Sequence, residues 1–266
     1  MRLCNLSFLR VVCMLLVVYF HCICYYWQWN FNGLRLVEYG LLCKFLNYIH
    51  MPMFVFVSGF LYAYLYIEKK RYCTFRNLLQ AKYPRLLVPY IIWGVLLCLL
   101  IPNRYSITML FTGISHLWFL LMLFGVFVIA HLLRNYWSVC SFRQSIYIIV
   151  ALVVVYNISV PFTSHLEILG LHNVLRYLPF FILGISMYRF PLIIRKQRLI
   201  LILSMFFLGL NTIIYFTQSI TIVKLCIDAL SYSVALFMIP FLYTIVSDFF
   251  HRRKPNEGGD FIVELR

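Results

Sequence analysis

The sequence is poor in charged residues, and poorest in acidic ones. Asp and Glu number 8 against 23 Lys and Arg, and charged side chains make up 12% of the 266 residues. A soluble domain has about a quarter of its residues charged and about half apolar, whereas here 64% are apolar and the mean hydropathy is +0.89. A chain of this length cannot bury that surplus in one core. The composition therefore excludes a soluble enzyme, a disordered chain and a secreted disulfide scaffold, and predicts a polytopic membrane protein.

Metal-ligand spacing is also absent from the sequence. The nine cysteines are scattered, mostly inside apolar stretches, and none forms a Cys-x-x-Cys pair or a Cys/His ligand set. We therefore interpret them as small apolar residues of membrane helices and expect no metal site. The net charge of +15 does not indicate a nucleic-acid partner, because the basic residues form short clusters between apolar stretches. Such clusters are typical of the cytoplasmic loops of membrane proteins.

Eight stretches approach the length and apolarity of a membrane span, which takes roughly 17–25 residues. They are 6–26, 48–67, 84–101, 115–133, 145–160, 173–189, 199–216 and 225–247. The sequence thus predicts an all-α transmembrane bundle of eight spans over residues 1–250, followed by a cytoplasmic tail at 251–266. Residues 34–49 mix apolar and charged side chains, which predicts a short amphipathic helix on the outer membrane surface.

The distribution of Lys and Arg between the loops predicts the orientation. One side carries 17 of the 23 basic residues, in the N-terminus, the 69–85 segment, two later loops and the tail. The other side carries Arg35, Lys44, Arg104 and Lys224. Because basic loops stay in the cytoplasm, both termini are predicted to be cytoplasmic.

The first predicted span contains two ionisable residues, Arg10 and His21. Ionisable groups inside a membrane are expensive and are functional candidates by default. Their separation of eleven positions corresponds to about three helical turns and roughly 16 Å of rise, so both side chains point from one face. In the alternative interpretation, Arg10 extends to the membrane interface and His21 hydrogen-bonds a neighbouring helix. The spacing leaves both interpretations open.

Five segments, in order over residues 5–247, resemble the membrane acyltransferase-3 family. The first is Arg10–His21, which is similar to the Arg-x10-His signature that opens the family. The second is His50-Met-Pro with Ser58-Gly59, which is similar to the second helix of the sugar O-acetylase branch. That branch includes fucose O-acetylase-like proteins. The other three are Lys82-Tyr-Pro-Arg85-Leu-Leu-Val-Pro89, His116-Leu-Trp118-Phe119 and Leu178-Pro179 with Gly184.

The resemblance implies an integral membrane O-acyltransferase. Such an enzyme moves an acyl group, usually acetyl, from cytoplasmic acyl-CoA to a hydroxyl of a surface glycan or lipid-linked sugar. Acetyl-CoA is then expected as a donor substrate, with no permanently bound cofactor, in the inner membrane of a bacterium. The same resemblance implies that Arg10 and His21 are the residues essential for transfer.

The predicted topology places three histidines, His21, His50 and His116, at similar depth in the outer half of the membrane. A neutral imidazole suits removal of a hydroxyl proton, so we expect His21 to be the catalytic base, with an acetyl-imidazole relay as a second route. His50 and His116 are expected to orient the acceptor or hold the oxyanion, or to make only polar contacts at helix ends. Arg176 and Asp228 fall in the same half, and Arg176 is a further candidate for substrate binding.

At the inner end, Arg10 of the first span approaches Lys82 and Arg85 of the third. Arginine matches phosphate geometry with forked hydrogen bonds, so these residues are predicted to contact the phosphates of CoA. The alternative is that they set topology and touch anionic membrane lipid, the role that we assign to residues 69–71. The pantetheine arm of CoA is long enough to carry the thioester from there towards His21.

Two further residues have packing interpretations. Ser58 lies in the middle of a helix without a Gly-x-Ser-x-Gly elbow, so it is not expected to be a nucleophile. Ser58-Gly59 instead predicts close helix packing through small residues. Trp118 is included among the substrate-binding candidates, although an aromatic residue at this position is also typical of a core or a membrane interface.

Two other functions stay open from the sequence. A transporter or exporter of glycan intermediates would also be polytopic with buried Arg and His, but the two halves of this chain do not align as repeats. The third possibility is a catalytically inactive, truncated scaffold. Family members have about ten spans, each of roughly 17–25 residues, and the tail at 256–266 resembles the approach to a further helix.

Overall fold

The computed structural model describes residues 2–27, 38–163, 170–190, 235–247 and 249. Within these ranges every regular element is helical, which confirms the all-helical fold class. The helices are α1 Arg2–Trp27, α2 Glu38–Ile67, α3 Phe75–Lys82, α4 Val88–Leu100, α5 Trp118–Leu132, α6 Arg134–Val139, α7 Phe142–Thr163, α8 Leu171–Arg189 and α9 Ala235–Ser247.

Four of the described helical stretches are long and apolar enough to cross a membrane: Leu6–Ile23, Ile49–Ile67, Phe75–Leu100 and Phe142–Ser159. They match the first, second, third and fifth predicted spans. The fourth and the end of the eighth correspond to the shorter apolar helices α5 and α9, and α8 covers the sixth. The seventh predicted span, together with Asp228, lies outside the described residues. The count of eight spans and the orientation stay predictions.

The structure differs from the predicted surface helix at 34–49. α2 runs without interruption from Glu38 to Ile67, so the described part of that segment is the beginning of a 30-residue helix. The few charged residues there did not mark a separate element, because apolar residues continue through them into the span. Pro52 lies inside α2 and does not end it, a tolerance that is common in membrane helices.

The core is centred on the crossing of α2 and α8, the most extensive helix contact in the described structure. Gly59 of α2 lies against the backbone of Phe181, and Gly184 of α8 lies against the backbone of Phe56 and Phe60. A Cβ at either glycine would overlap a carbonyl oxygen of the opposite helix. The missing side chains therefore let the two backbones touch, as small residues do in membrane bundles, which confirms the packing role predicted for Gly59.

A buried polar network joins α2 to α5 and α6. His131 is fully buried, and its Nε2 lies 2.9 Å from a guanidinium nitrogen of Arg134. Its Nδ1 lies 2.9 Å from the hydroxyl of Tyr62. Because a guanidinium only donates, Nε2 must accept, and the hydrogen of the neutral ring is on Nδ1. His131 therefore donates to Tyr62, and its ring is fixed in one tautomer by three elements of the fold.

The glycine contact predicts a destabilised variant. Gly59→Ala is expected to lower the free energy of unfolding by about 1–3 kcal/mol, because the added methyl group forces two helix backbones apart. Thermal unfolding of the purified protein in detergent measures the effect. Gly94→Ala is the matched control, since its Cβ would meet Cδ2 of Leu110, the end of a flexible and only half-buried side chain. Equal losses in the two variants would contradict backbone contact as the cause.

Loss of the hydrogen bond between Tyr62 and His131 is also expected to destabilise the protein. Tyr62→Phe removes the acceptor of the His131 Nδ1–H, and a buried donor without a partner costs about 1–3 kcal/mol. Tyr66→Phe is the control, because its ring stacks on Tyr62 at 6.1 Å but its hydroxyl is not a hydrogen-bond partner of His131. The same unfolding measurement compares them. The network would not be stabilising if the two variants unfolded alike.

Candidate active site

Two helices and one short turn bring three histidines together at one end of the bundle. His21 lies in α1, His50 in α2, and His116 in the 3-10 turn Ser115–Leu117 that precedes α5. The rings of His21 and His116 lie 4.6 Å apart, edge to face. The ring of Phe20 lies 5.4 Å from His21 and 5.0 Å from His50. We call these three histidines the histidine cluster; their proximity agrees with the predicted common depth, and their catalytic roles stay predictions.

Hydrogen bonds within α1 and α2 fix the tautomers of two of these rings. Nδ1 of His21 donates to the carbonyl of Val17 at 2.7 Å, and Nδ1 of His50 donates to the carbonyl of Leu46 at 2.5 Å. A carbonyl only accepts, so Nδ1 carries the hydrogen in each ring and Nε2 of the neutral ring holds a lone pair. Both histidines are therefore oriented to accept a proton or a hydrogen bond through Nε2.

The third histidine depends on a glycine turn. Gly113 has a φ of 110°, a conformation that residues with a side chain rarely adopt. A Cβ at this position would also approach within 3.0 Å of the Cβ of Trp118. The next residue, Ile114, is fully buried. The turn that carries His116 is thus held against the core on its N-terminal side.

At the other end of α1, basic residues surround Lys82. α3 ends at this lysine, and a single π-helical turn, Tyr83–Leu87, joins it to α4. Such turns occur frequently at functional sites. The charges of Arg85, Arg10 and Arg71 all act on the Lys82 ammonium group. We call Arg10, Lys82 and Arg85 the cation cluster, which the sequence predicted as a group.

Aromatic rings hold the lysine of the cation cluster. Nζ of Lys82 lies 3.8 Å from the ring centroid of Phe127 and 5.5 Å from that of Tyr72, distances at which a cation is attracted to the face of a ring. Tyr72 in turn stacks on Tyr62 at 5.7 Å, so the buried network of His131 lies directly behind these rings. Lys82 is half-buried in this setting.

Little negative charge opposes the cation cluster in the described structure. Arg10 and Arg85 are exposed, and the acidic residues within the described ranges are Glu38 and Glu68 alone. Glu68 accepts a hydrogen bond from the hydroxyl of Tyr188 at 2.7 Å. An excess of cationic donors on an exposed surface is able to bind a phosphate-bearing ligand.

The two remaining candidates lie where α5 meets α8. The ring of Trp118 lies 5.9 Å from that of Tyr177, and the guanidinium carbon of Arg176 lies 5.8 Å from the same ring. These contacts agree with the packing interpretation of Trp118, and the structure does not place either residue against the His21 ring. Among the described residues, no three His, Cys, Asp or Glu side chains come together as ligands for a metal ion.

Sequence reasoning missed His131 and the rings around Lys82. A local signal for the first existed, because His131 and Arg134 are three residues apart at the end of an apolar stretch, a spacing that places side chains on one helix face. Phe127 and Tyr72 gave no such signal. Their contacts with Lys82 arise only when α5 and the segment before α3 pack against the end of α3.

A known protein family matches nearly the whole chain. The family model of the acyltransferase-3 domain matches residues 5–263 of the 266-residue chain. No curated protein and no solved structure matches the chain. The family match spans both the histidine cluster and the cation cluster, and the described helices are apolar enough for an integral membrane protein. The chain therefore belongs to the acyltransferase-3 family of membrane acyltransferases.

Proposed function

We propose that the protein is an O-acyltransferase that moves an acetyl group from cytoplasmic acetyl-CoA to a hydroxyl of a surface glycan or lipid-linked sugar. The observation that carries this proposal is the separation of two kinds of polar group along α1. Cations gather near Arg10, whereas the imidazoles of His50 and His116 lie near His21, and the rings of His21 and His50 accept through Nε2. We further propose a bacterial inner membrane, with the cation cluster on the cytoplasmic side, as the loop charges favour.

The cation cluster supplies the donor site in this proposal. Arg10 and Arg85 offer forked donors to the phosphates of the CoA nucleotide, and Lys82 adds a compact positive charge fixed over Phe127. Roughly 16 Å of helix rise separates Arg10 from His21. The pantetheine arm extends along this distance and brings the thioester to the histidine cluster.

The histidine cluster supplies the chemistry. Nε2 of His21 takes the proton of the acceptor hydroxyl while the oxygen of that hydroxyl attacks the carbonyl carbon of the thioester. A C–O ester bond forms, the C–S bond breaks, and the proton passes from His21 to the thiolate sulfur, so that CoA leaves as the thiol. In this proposal, His116 stabilises the oxyanion, which its ring contact with His21 at 4.6 Å supports. In the alternative relay, Nε2 of His21 carries the acetyl group before the hydroxyl attacks.

Replacement of the proposed base tests the chemistry. Membranes that contain the wild-type chain are expected to transfer labelled acetyl from acetyl-CoA to glycan, seen in mass spectra as added acetyl groups. His21→Ala is expected to lower the rate by about 100-fold or more, because general-base catalysis is lost. His172→Ala, whose ring packs on Tyr156 at 5.4 Å, is the control. Wild-type transfer in His21→Ala would contradict the assignment, and no transfer by the wild type would favour an exporter or an inactive scaffold.

A donor without phosphates tests the cation cluster. Lys82→Met is expected to raise the KM for acetyl-CoA about tenfold, because a charge-assisted contact is lost, while kcat changes little. With S-acetyl-pantetheine, which carries no phosphate, the variant and the wild type should behave alike. Lys69→Met, an exposed lysine of the loop after α2, is the control. Equal defects with both donors would show that Lys82 does not act on the phosphates.

A further inference from the structure

His50 carries an unusual nitrogen. Its ring is fully buried, and its Nε2 is the one buried side-chain nitrogen or oxygen without a hydrogen-bond partner in the described part of the chain. Nδ1 is already committed to the carbonyl of Leu46. A buried polar atom without a partner costs about 1–3 kcal/mol, and such atoms are rare enough in native proteins to need an explanation.

The surroundings determine what this nitrogen can bind. The ring of Phe20 lies 5.0 Å from that of His50 and 5.4 Å from that of His21. An imidazolium is costly in a buried apolar site, and more so beside a histidine that takes up a proton during the reaction. His50 is therefore neutral, and its Nε2 accepts hydrogen bonds but does not donate them. It cannot stabilise an oxyanion, which requires a donor.

Nε2 of His21 and Nε2 of His50 both accept, so each needs a hydrogen-bond donor of its own. Nε2 of His21 takes the hydrogen of the hydroxyl that is acylated, and a hydroxyl has only one hydrogen. A second O–H or N–H, supplied by the bound substrates, would satisfy Nε2 of His50. Sugars carry hydroxyls on neighbouring carbons, so an acceptor whose first hydroxyl lies at His21 has a second donor a short distance away.

We propose that Nε2 of His50 accepts a hydrogen bond from a second hydroxyl of the acceptor sugar, next to the hydroxyl that is acylated. This inference rests on the proposed O-acyltransferase function and deepens it. The acceptor is a sugar with two neighbouring free hydroxyls, and His50 selects which of them receives the acyl group. No bond is made or broken at His50, which acts as a specificity residue.

The test measures the position of the acetyl group as well as the rate. Wild-type and variant membranes are incubated with labelled acetyl-CoA and with the envelope glycan extracted from the cells, at graded concentrations. In His50→Ala, the KM for the glycan should rise about tenfold, the KM for acetyl-CoA should stay unchanged, and acetyl should appear on more than one hydroxyl by NMR. His50→Gln, which keeps an acceptor near the Nε2 position, should restore a single position.

Two further variants complete the experiment. His172→Gln is the matched histidine control and should leave the acetyl position unchanged. His50→Phe fills the ring volume without an acceptor, so it gives the same test if His50→Ala does not accumulate, and it should also distribute acetyl over several hydroxyls.

The outcomes separate this inference from the function on which it rests. Wild-type KM and acetyl position in the His50 variants would overturn it. A rise confined to the KM for acetyl-CoA, with the acetyl position unchanged, would also overturn it and would assign Nε2 to an amide N–H of the pantetheine arm. Absence of transfer by the wild-type chain would contradict the O-acyltransferase function itself.

Discussion

Direct contact between the backbones of α2 and α8 is the constraint on which the other arrangements depend. Because Gly59 and Gly184 bring no side chains to the crossing, α2 is held at the centre of the described helices. α2 carries His50 near one end of its membrane stretch and Tyr62 near the other. α1 packs against α2 and carries Arg10 and His21. Both polar clusters are therefore positioned by the same pair of helices.

The membrane imposes a second constraint, since polar groups at that depth need partners within the protein. The structure meets it in two ways. His131 is satisfied on both nitrogens and is committed to the fold. In His21 and His50, Nδ1 donates to a carbonyl of the same helix, and Nε2 is left to accept from another group. The histidines of the proposed site thus differ from the structural one in the number of ring nitrogens that the fold occupies.

Much of this arrangement follows from the sequence. Hydropathy predicts the helical class and the four long apolar helices, and the eleven-residue spacing of Arg10 and His21 places the two polar clusters at opposite ends of α1. The grouping of Lys82 with Arg10 also follows, because alternate spans reverse direction. The rings around Lys82, the His131 network and the extent of α2 do not follow. They depend on which faces of different segments pack together, and the apolar periodicity of a single segment does not predict its packing partner.

The hydrogen bonds from His21 and His50 to their own helices have a consequence for how such a site can diversify. The Nδ1 hydrogen bond of each ring is made within its own helix, so a displacement of α1 along α2 would alter the gap between the two Nε2 atoms and leave each tautomer intact. In the proposed reaction, the offset between α1 and α2 would set the spacing between the two sugar hydroxyls that these atoms contact. A changed packing side chain between α1 and α2 would then suit the proposed site to another sugar while His21 and His50 stay in place.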